Sequence, residues 1–126
     1  DYDIDDVVIF DSTNYDYEST FYIKRVVAAD KDIVRYDILS GKLYVNDLFV
    51  EDITHEEYLN IIYSIDYDYG AGIFYEFIVP DHQLLAFGDN RDVSRDSRLI
   101  GLINKNDVLG KAFFRILPFD DFGVVR

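Results

Sequence analysis

The segment from Phe21 to Ala28 constrains the fold most, because two adjacent cations, Lys24 and Arg25, interrupt a run of aromatic and β-branched residues. Such a composition predicts a β-strand. Neighbouring side chains on a strand point to opposite faces, so the two cations cannot share the solvent face of a half-buried sheet. One of them therefore faces the core or a cleft, unless the strand lies at a sheet edge where both side chains reach water.

An inward-facing Lys24 would be chemically useful. Burial disfavours the charged ammonium and lowers the pKa of a lysine from its usual value of about 10.4 toward neutrality. A neutral amine accepts a proton, which is how a lysine serves as a general base. Lys24 is therefore a candidate catalytic base.

A second unusual segment, residues 88–98, follows the apolar run from Leu84 to Phe87. It contains three Asp, three Arg, two Ser and one Asn, with Val93 as its apolar side chain. Arginines concentrated in this way in an acidic protein predict an ion-pair network, because Arg and carboxylate groups form geometrically specific forks. The network would be a structural scaffold or the support of a catalytic site; a solvated polar turn is the simpler alternative.

Composition narrows the class of protein. A chain of 126 residues, 49% of them hydrophobic, is one ordinary domain with enough apolar residues for a core. Its net charge of −13 argues against nucleic acid and anionic lipid as partners. The absence of Cys excludes disulfides and thiolate metal sites, and His55 and His82 are isolated. We predict no metal and no cofactor.

The chain is predicted to be all-β in class, mainly β with one or two short helices. Strands are predicted at residues 6–10, 21–28, 33–36, 43–45, 73–79, 83–87 and 108–117, with a bulge at Gly110. Thr54 followed by Glu57 is a capping-box pattern and predicts one helix. Residues 14–17 and 40–41 predict turns. Since the chain contains no Met, we expect Asp1 to lie inside a longer protein.

Two of these segments together resemble type I signal peptidases, the membrane-bound serine proteases that remove signal peptides from exported proteins. Residues 21–27 are similar to the family's Tyr-Ile-Lys-Arg-Val box. Residues 88–98 match its Gly-Asp-Asn-Arg-x-x-Ser-x-Asp-Ser-Arg box at every fixed position. Residues 41–46, 101–103, 108–111 and 118–119 continue the resemblance, which spans nearly the whole chain.

The resemblance implies roles for the matched residues. Lys24 would be the general base of a Ser/Lys dyad, Ser94 would orient it, and Asp89 would pair with Arg25. A signal peptide with small residues at positions −1 and −3 would bind as an added strand. The groove residues would be Phe21, Tyr22 and Ile23, and the structural support would come from Arg25, Asp89, Asn90, Arg91, Asp96, Ser97 and Arg98.

The resemblance also implies the signal peptidase fold, which is LexA-like. A core from residues 1–33 and 76–126 would carry a β excursion at residues 34–75, all in one domain over residues 1–126. The chain would be the extracytoplasmic part of a single-pass cell-membrane protein of Gram-positive type. Its membrane anchor and nucleophile segment would precede this chain. The partners would be exported preproteins.

Two departures from the family pattern keep other functions open. The family's nucleophilic serine lies in a Ser-Met-x-Pro-like box, and this chain has only Pro80 and Pro118, neither of which matches. Residues 28–30 are Ala-Ala-Asp where the family usually has Gly-Leu-Pro-Gly-Asp. One alternative is a catalytically inactive partner in Gram-positive pilus assembly, working with pilin or sortase machinery. Another is a self-cleaving protease of the repressor type, against which the match at residues 88–98 argues.

Overall fold

The computed structural model describes residues 2–15, 21–65, 75–89 and 96–112. In chain order, the elements are β1 (Val7–Asp11), β2 (Phe21–Ala28), β3 (Ile33–Asp37), β4 (Lys42–Val45), β5 (Leu48–Asp52), α1 (His55–Tyr63), β6 (Glu76–Ile78), β7 (Gln83–Phe87), α2 (Ser97–Ile100), β8 (Ile103–Asn104), a 3-10 turn (Lys105–Asp107) and β9 (Val108–Ala112).

These strands form two antiparallel sheets, which confirms the mainly β class. The first sheet has the order β8-β7-β2-β1-β9 and draws its strands from both ends of the chain. The second has the order β5-β4-β3-β6 and comes from the middle. Strand β2 lies between β1 and β7 in the first sheet. Because Lys24 is only 3% exposed, the interpretation in which both cations reach water from an edge strand is wrong.

The largest buried cluster connects the two sheets through α1. Val27, Ala28, Leu85 and Phe87 of the first sheet belong to the same cluster as Val34, Tyr36, Leu43, Val45 and Phe77 of the second and Tyr58 and Ile61 of α1. Each large apolar side chain buried there contributes about 1.5 to 3 kcal/mol. The middle of the chain therefore shares its main core with the two ends.

Helix α1 begins where the capping-box pattern predicted it. The Thr54 hydroxyl accepts the Glu57 backbone N–H at 3.1 Å, and the Glu57 carboxylate accepts the Thr54 N–H at 2.8 Å. These two contacts satisfy backbone donors that an isolated helix start leaves without partners. Tyr58 and Ile61 then point into the core.

Some elements differ from those predicted. Strands β5 and β8 and helix α2 were not predicted, because none of them has a clear apolar period. Strand β6 is shorter than expected, because Tyr75 and Val79 lie outside it. Strand β9 covers the described part of its predicted range, and residues 73–74 and 113–117 lie outside the described part of the chain. The bulge is at the predicted place, since Ile9 pairs with Gly110 while Phe10 pairs with Val108.

The turn after β2 carries a strained lysine. Lys31 has φ of +69°, in the left-handed region that favours glycine. Its N–H bonds to the Val79 carbonyl at 3.0 Å, and the Ala29 N–H bonds to the Asp32 carboxylate at 2.8 Å. The departure from the family pattern at residues 28–30 thus leads directly into a tightly held turn.

We expect Lys31→Gly to raise the free energy of unfolding by about 0.5 to 1 kcal/mol, because relief of left-handed strain exceeds the entropy that glycine adds to the unfolded chain. Urea denaturation would measure the difference. Lys31→Ala is the matched control, since it removes the amine and keeps the strain. A glycine variant no more stable than the alanine variant would contradict this account.

Candidate active site

The structure resolves which of the two adjacent cations faces inward. Lys24 is 3% exposed, whereas Arg25 on the opposite face of β2 is only partly buried. Lys24 pairs across the sheet with Val8, a fully buried residue of β1. Its Nζ atom lies 5.2 Å from the centroid of the Tyr22 ring, on the same face of the strand. A buried lysine amine is suited to act as a base.

Arg25 is held on the other face by the partner that the resemblance implied. Its Nε and Nη2 atoms donate to the two carboxylate oxygens of Asp89 at 3.0 and 2.8 Å, and its Nη1 donates to the Asp5 carbonyl at 3.2 Å. The hydrogen bonds to Asp89 raise the pKa of Arg25 above its ordinary value. This two-point contact fixes the chain after β7 to the middle of β2.

Asp96 is the buried centre of the second segment. It has no exposed surface, and within the described residues its carboxylate accepts hydrogen bonds from four donors. These donors are the Gly88 N–H at 2.8 Å, the Arg98 N–H at 3.0 Å, Arg98 Nε at 2.9 Å and Arg98 Nη2 at 2.7 Å. The carboxylate thus joins Gly88 to the start of α2, so the chain on either side of residues 90–95 is held at one point.

Arg98 makes further contacts beyond Asp96. Its Nη1 lies 3.5 Å from the Glu51 carboxylate, and its guanidinium lies 5.2 Å from the centroid of the Phe87 ring. Burial lowers the pKa of Arg98, but the hydrogen bonds with Asp96 outweigh it and the pKa is raised. Ser97 contributes separately, because its hydroxyl accepts the Ala86 N–H at 3.0 Å.

Not every predicted site residue can be placed. Ser94, Asn90 and Arg91 lie outside the described residues, so the orientation of Lys24 by Ser94 stays a prediction. Phe21 is 67% exposed, and Ile23 is half-buried. Strand β7 pairs with β2 only from Arg25 onward. Among the described strands, the first half of β2 therefore has β1 as its one neighbour, and no other described strand pairs beside Phe21 and Ile23.

The residues that the sequence did not reveal come from the middle of the chain. Besides Glu51, Asn60 donates from Nδ2 to the Arg98 carbonyl at 3.0 Å. The Ser64 hydroxyl accepts the Leu102 N–H at 2.9 Å. Gly101 has φ of +84°, and a Cβ there would lie 2.3 Å from Ser64 Cβ. That glycine was the only local signal of this contact.

Within residues 2–15, 21–65, 75–89 and 96–112, no group of three or more His, Cys, Asp or Glu side chains is arranged to hold a metal ion. The helices described in this chain are all too short or too polar to cross a membrane.

Comparison with solved structures agrees with this architecture. A signal peptidase I from Enterococcus faecalis superimposes with a TM-score of 0.58, covering 90% of this chain and 97% of that one at 19% identity. At this identity, the match shows a shared fold.

Comparison of sequences gives closer matches. Signal peptidase IB of Staphylococcus aureus, strains Mu50 and COL, is 35% identical over 129 residues. The match covers 92% of this chain and 61% of the relative, so the chain spans about three-fifths of that protein. The family described as "Signal peptidase, peptidase S26" matches residues 2–117. The chain therefore belongs to the signal peptidase family.

Proposed function

We propose that this chain is the extracytoplasmic part of a membrane-bound serine-type signal peptidase, with Lys24 as the general base of a Ser/Lys dyad. The observation that carries the proposal is the separation of the two adjacent cations. Lys24 is buried beside Tyr22, while Arg25 is tied to Asp89 on the other face.

In the proposed reaction, the amine of Lys24 takes the proton of a serine hydroxyl as the serine oxygen attacks the scissile carbonyl. The serine would be supplied by sequence upstream of Asp1. The protonated Lys24 then returns the proton to the leaving amine, and a water molecule hydrolyses the acyl-serine with Lys24 again as the base. Hydrogen-bond donors beside the nucleophile would stabilise the tetrahedral oxyanion. Ser94 would orient Lys24 throughout.

The substrates would be signal peptides of exported preproteins, bound as a strand beside Phe21, Tyr22 and Ile23. Two features support this placement: the exposure of Phe21 and the start of β7 pairing only at Arg25. Single-pass anchoring in the cell membrane, with this domain outside the cytoplasm, completes the proposal. The pairing of Arg25 with Asp89 and the contacts of Asp96 and Arg98 would hold the loop that carries Ser94.

The test is cleavage of a preprotein by the full-length protein in membrane vesicles. We expect cleavage after Ala at position −1, and we expect a −1 Ala→Phe substrate to lose about a hundredfold in kcat/KM because a shallow pocket rejects a large ring. Mass spectrometry of the product terminus would identify the bond cut. A substrate changed from Ala to Phe at position +5 is the matched control. If the folded protein cleaves none of these, the pilus-assembly alternative replaces the enzyme.

A further inference from the structure

We propose that Tyr15 is a positioning residue for Lys24 and acts through two intervening rings, Phe10 and Tyr22. The inference rests on the proposed function, since it concerns the amine that the proposal makes the catalytic base. Tyr15 lies in the polar turn after β1, outside both segments that resemble the family boxes.

Three ring contacts connect Tyr15 with Lys24. The Tyr15 and Phe10 rings meet edge to face, with centroids 5.9 Å apart and planes at 86°. The Phe10 and Tyr22 rings meet in the same way, at 5.7 Å and 80°. Lys24 Nζ lies 5.2 Å from the Tyr22 centroid. Because edge-to-face contacts have a preferred geometry, each ring restrains the orientation of the next.

Tyr15 is itself fixed by hydrogen bonds at both ends. Its backbone N–H bonds to the Ser12 carbonyl at 2.9 Å. Its hydroxyl donates to the Asp107 carboxylate and accepts the Asn104 N–H at 2.8 Å. Burial and the Asp107 carboxylate both raise the pKa of Tyr15, so the hydroxyl keeps its proton and remains a donor. The Tyr15 ring is therefore anchored to the chain segment that precedes β9.

The inner rings have little freedom of their own. Phe10 is fully buried and packs with Ala86 and Ile103, with Tyr15 and Tyr22 against the same cluster. Tyr22 contacts both Phe10 and Lys24, so a shift of the Phe10 ring reaches the ring surface that faces the amine. Loss of the Tyr15 ring opens one side of Phe10 to water and loosens this support.

The test compares Tyr15→Leu, which removes the ring, with Tyr15→Phe, which removes only the hydroxyl, in the full-length protein. We expect Tyr15→Leu to lower kcat about threefold to tenfold with KM unchanged, in line with the worth of one aromatic contact. In Tyr15→Leu, water reaches the Lys24 amine and favours its charged form. The acid limb of the plot of kcat against pH therefore moves to higher pH. Tyr15→Phe shows smaller changes in the same directions. The nearby charged groups, which are Arg25 on β2, Asp89 after β7 and Lys111 on β9, are the same in every variant.

Tyr44→Leu is the matched control, because Tyr44 also makes an edge contact, with Phe49 at 6.0 Å, but on the second sheet. It should leave kcat and the pH profile unchanged. An NMR titration of the Lys24 side chain in lysine-labelled protein gives a readout that does not need activity. A Lys24 titration that is the same in wild type and Tyr15→Leu overturns the inference. If the Lys24 titration differs between wild type and Tyr15→Leu but the wild-type protein cleaves nothing, the proposed function is overturned and the positioning role is supported.

Discussion

Replacement of Lys24 by Met is expected to abolish signal peptide cleavage while leaving the fold intact. Loss of a general base lowers kcat by about 10³- to 10⁴-fold, and the methionine fills the same apolar space. The free energy of unfolding should change little, because the cost of burying the amine offsets what its contacts contribute. Cleavage kinetics and urea denaturation on the same preparation would measure both effects.

Lys111→Met is the control for this experiment. Lys111 pairs with the opposite side of Val8 in the same sheet, so it lies two strands from Lys24. It is exposed and forms an ion pair with Asp6 at 3.1 Å. Its loss should leave cleavage unchanged. Equal residual activity in the two variants would contradict a catalytic role for Lys24.

Asp96→Ala, unlike Lys24→Met, is expected to cause a large loss of stability. The substitution removes the 2.7 Å ion pair of the buried Arg98 guanidinium, while the longer contact to Glu51 stays, and it removes the acceptor of the Gly88 N–H. Breaking a buried ion pair by removal of one partner costs about 3 to 5 kcal/mol. Chemical denaturation would show this as a lower midpoint at an unchanged slope.

Two further variants separate charge from hydrogen bonding. Asp96→Asn keeps an acceptor oxygen for a backbone N–H, so it should lose less than Asp96→Ala. Lys42→Met removes the exposed ion pair with Asp52 and should cost below about 1 kcal/mol. An Asp96→Ala variant that loses no more than Lys42→Met would show that the buried carboxylate does not stabilise the loop.

Local patterns in the sequence predicted the features that depend on neighbouring residues. Strand alternation alone required that Lys24 and Arg25 separate, and the spacing of Thr54 and Glu57 alone predicted where α1 begins. Alternation could not say which cation turns inward. That choice depends on Asp89, which is 64 residues from Arg25 along the chain.

The features missed from the sequence are contacts between distant segments. Glu51 meets Arg98 across 47 residues, and Tyr15 meets Asp107 across 92. No residue near Glu51 or Tyr15 has a spacing that indicates such a partner. Strand β5, which carries Glu51, was missed for a related reason: it is defined by its pairing with β4, and its own residues neither alternate nor include a buried one.

The pairing of Arg25 with Asp89 has a consequence for how β2 assembles. A slip of β2 by one residue would exchange its two faces and bring Arg25 into the apolar position of Lys24. A guanidinium does not give up its proton in a protein, so the slipped strand would present a permanent cation where the proposed mechanism requires a base. The Asp89 carboxylate is within reach of only one of the two alignments. The ion pair on the outer face thereby selects the register of β2 that places Lys24, and not Arg25, on the inner face.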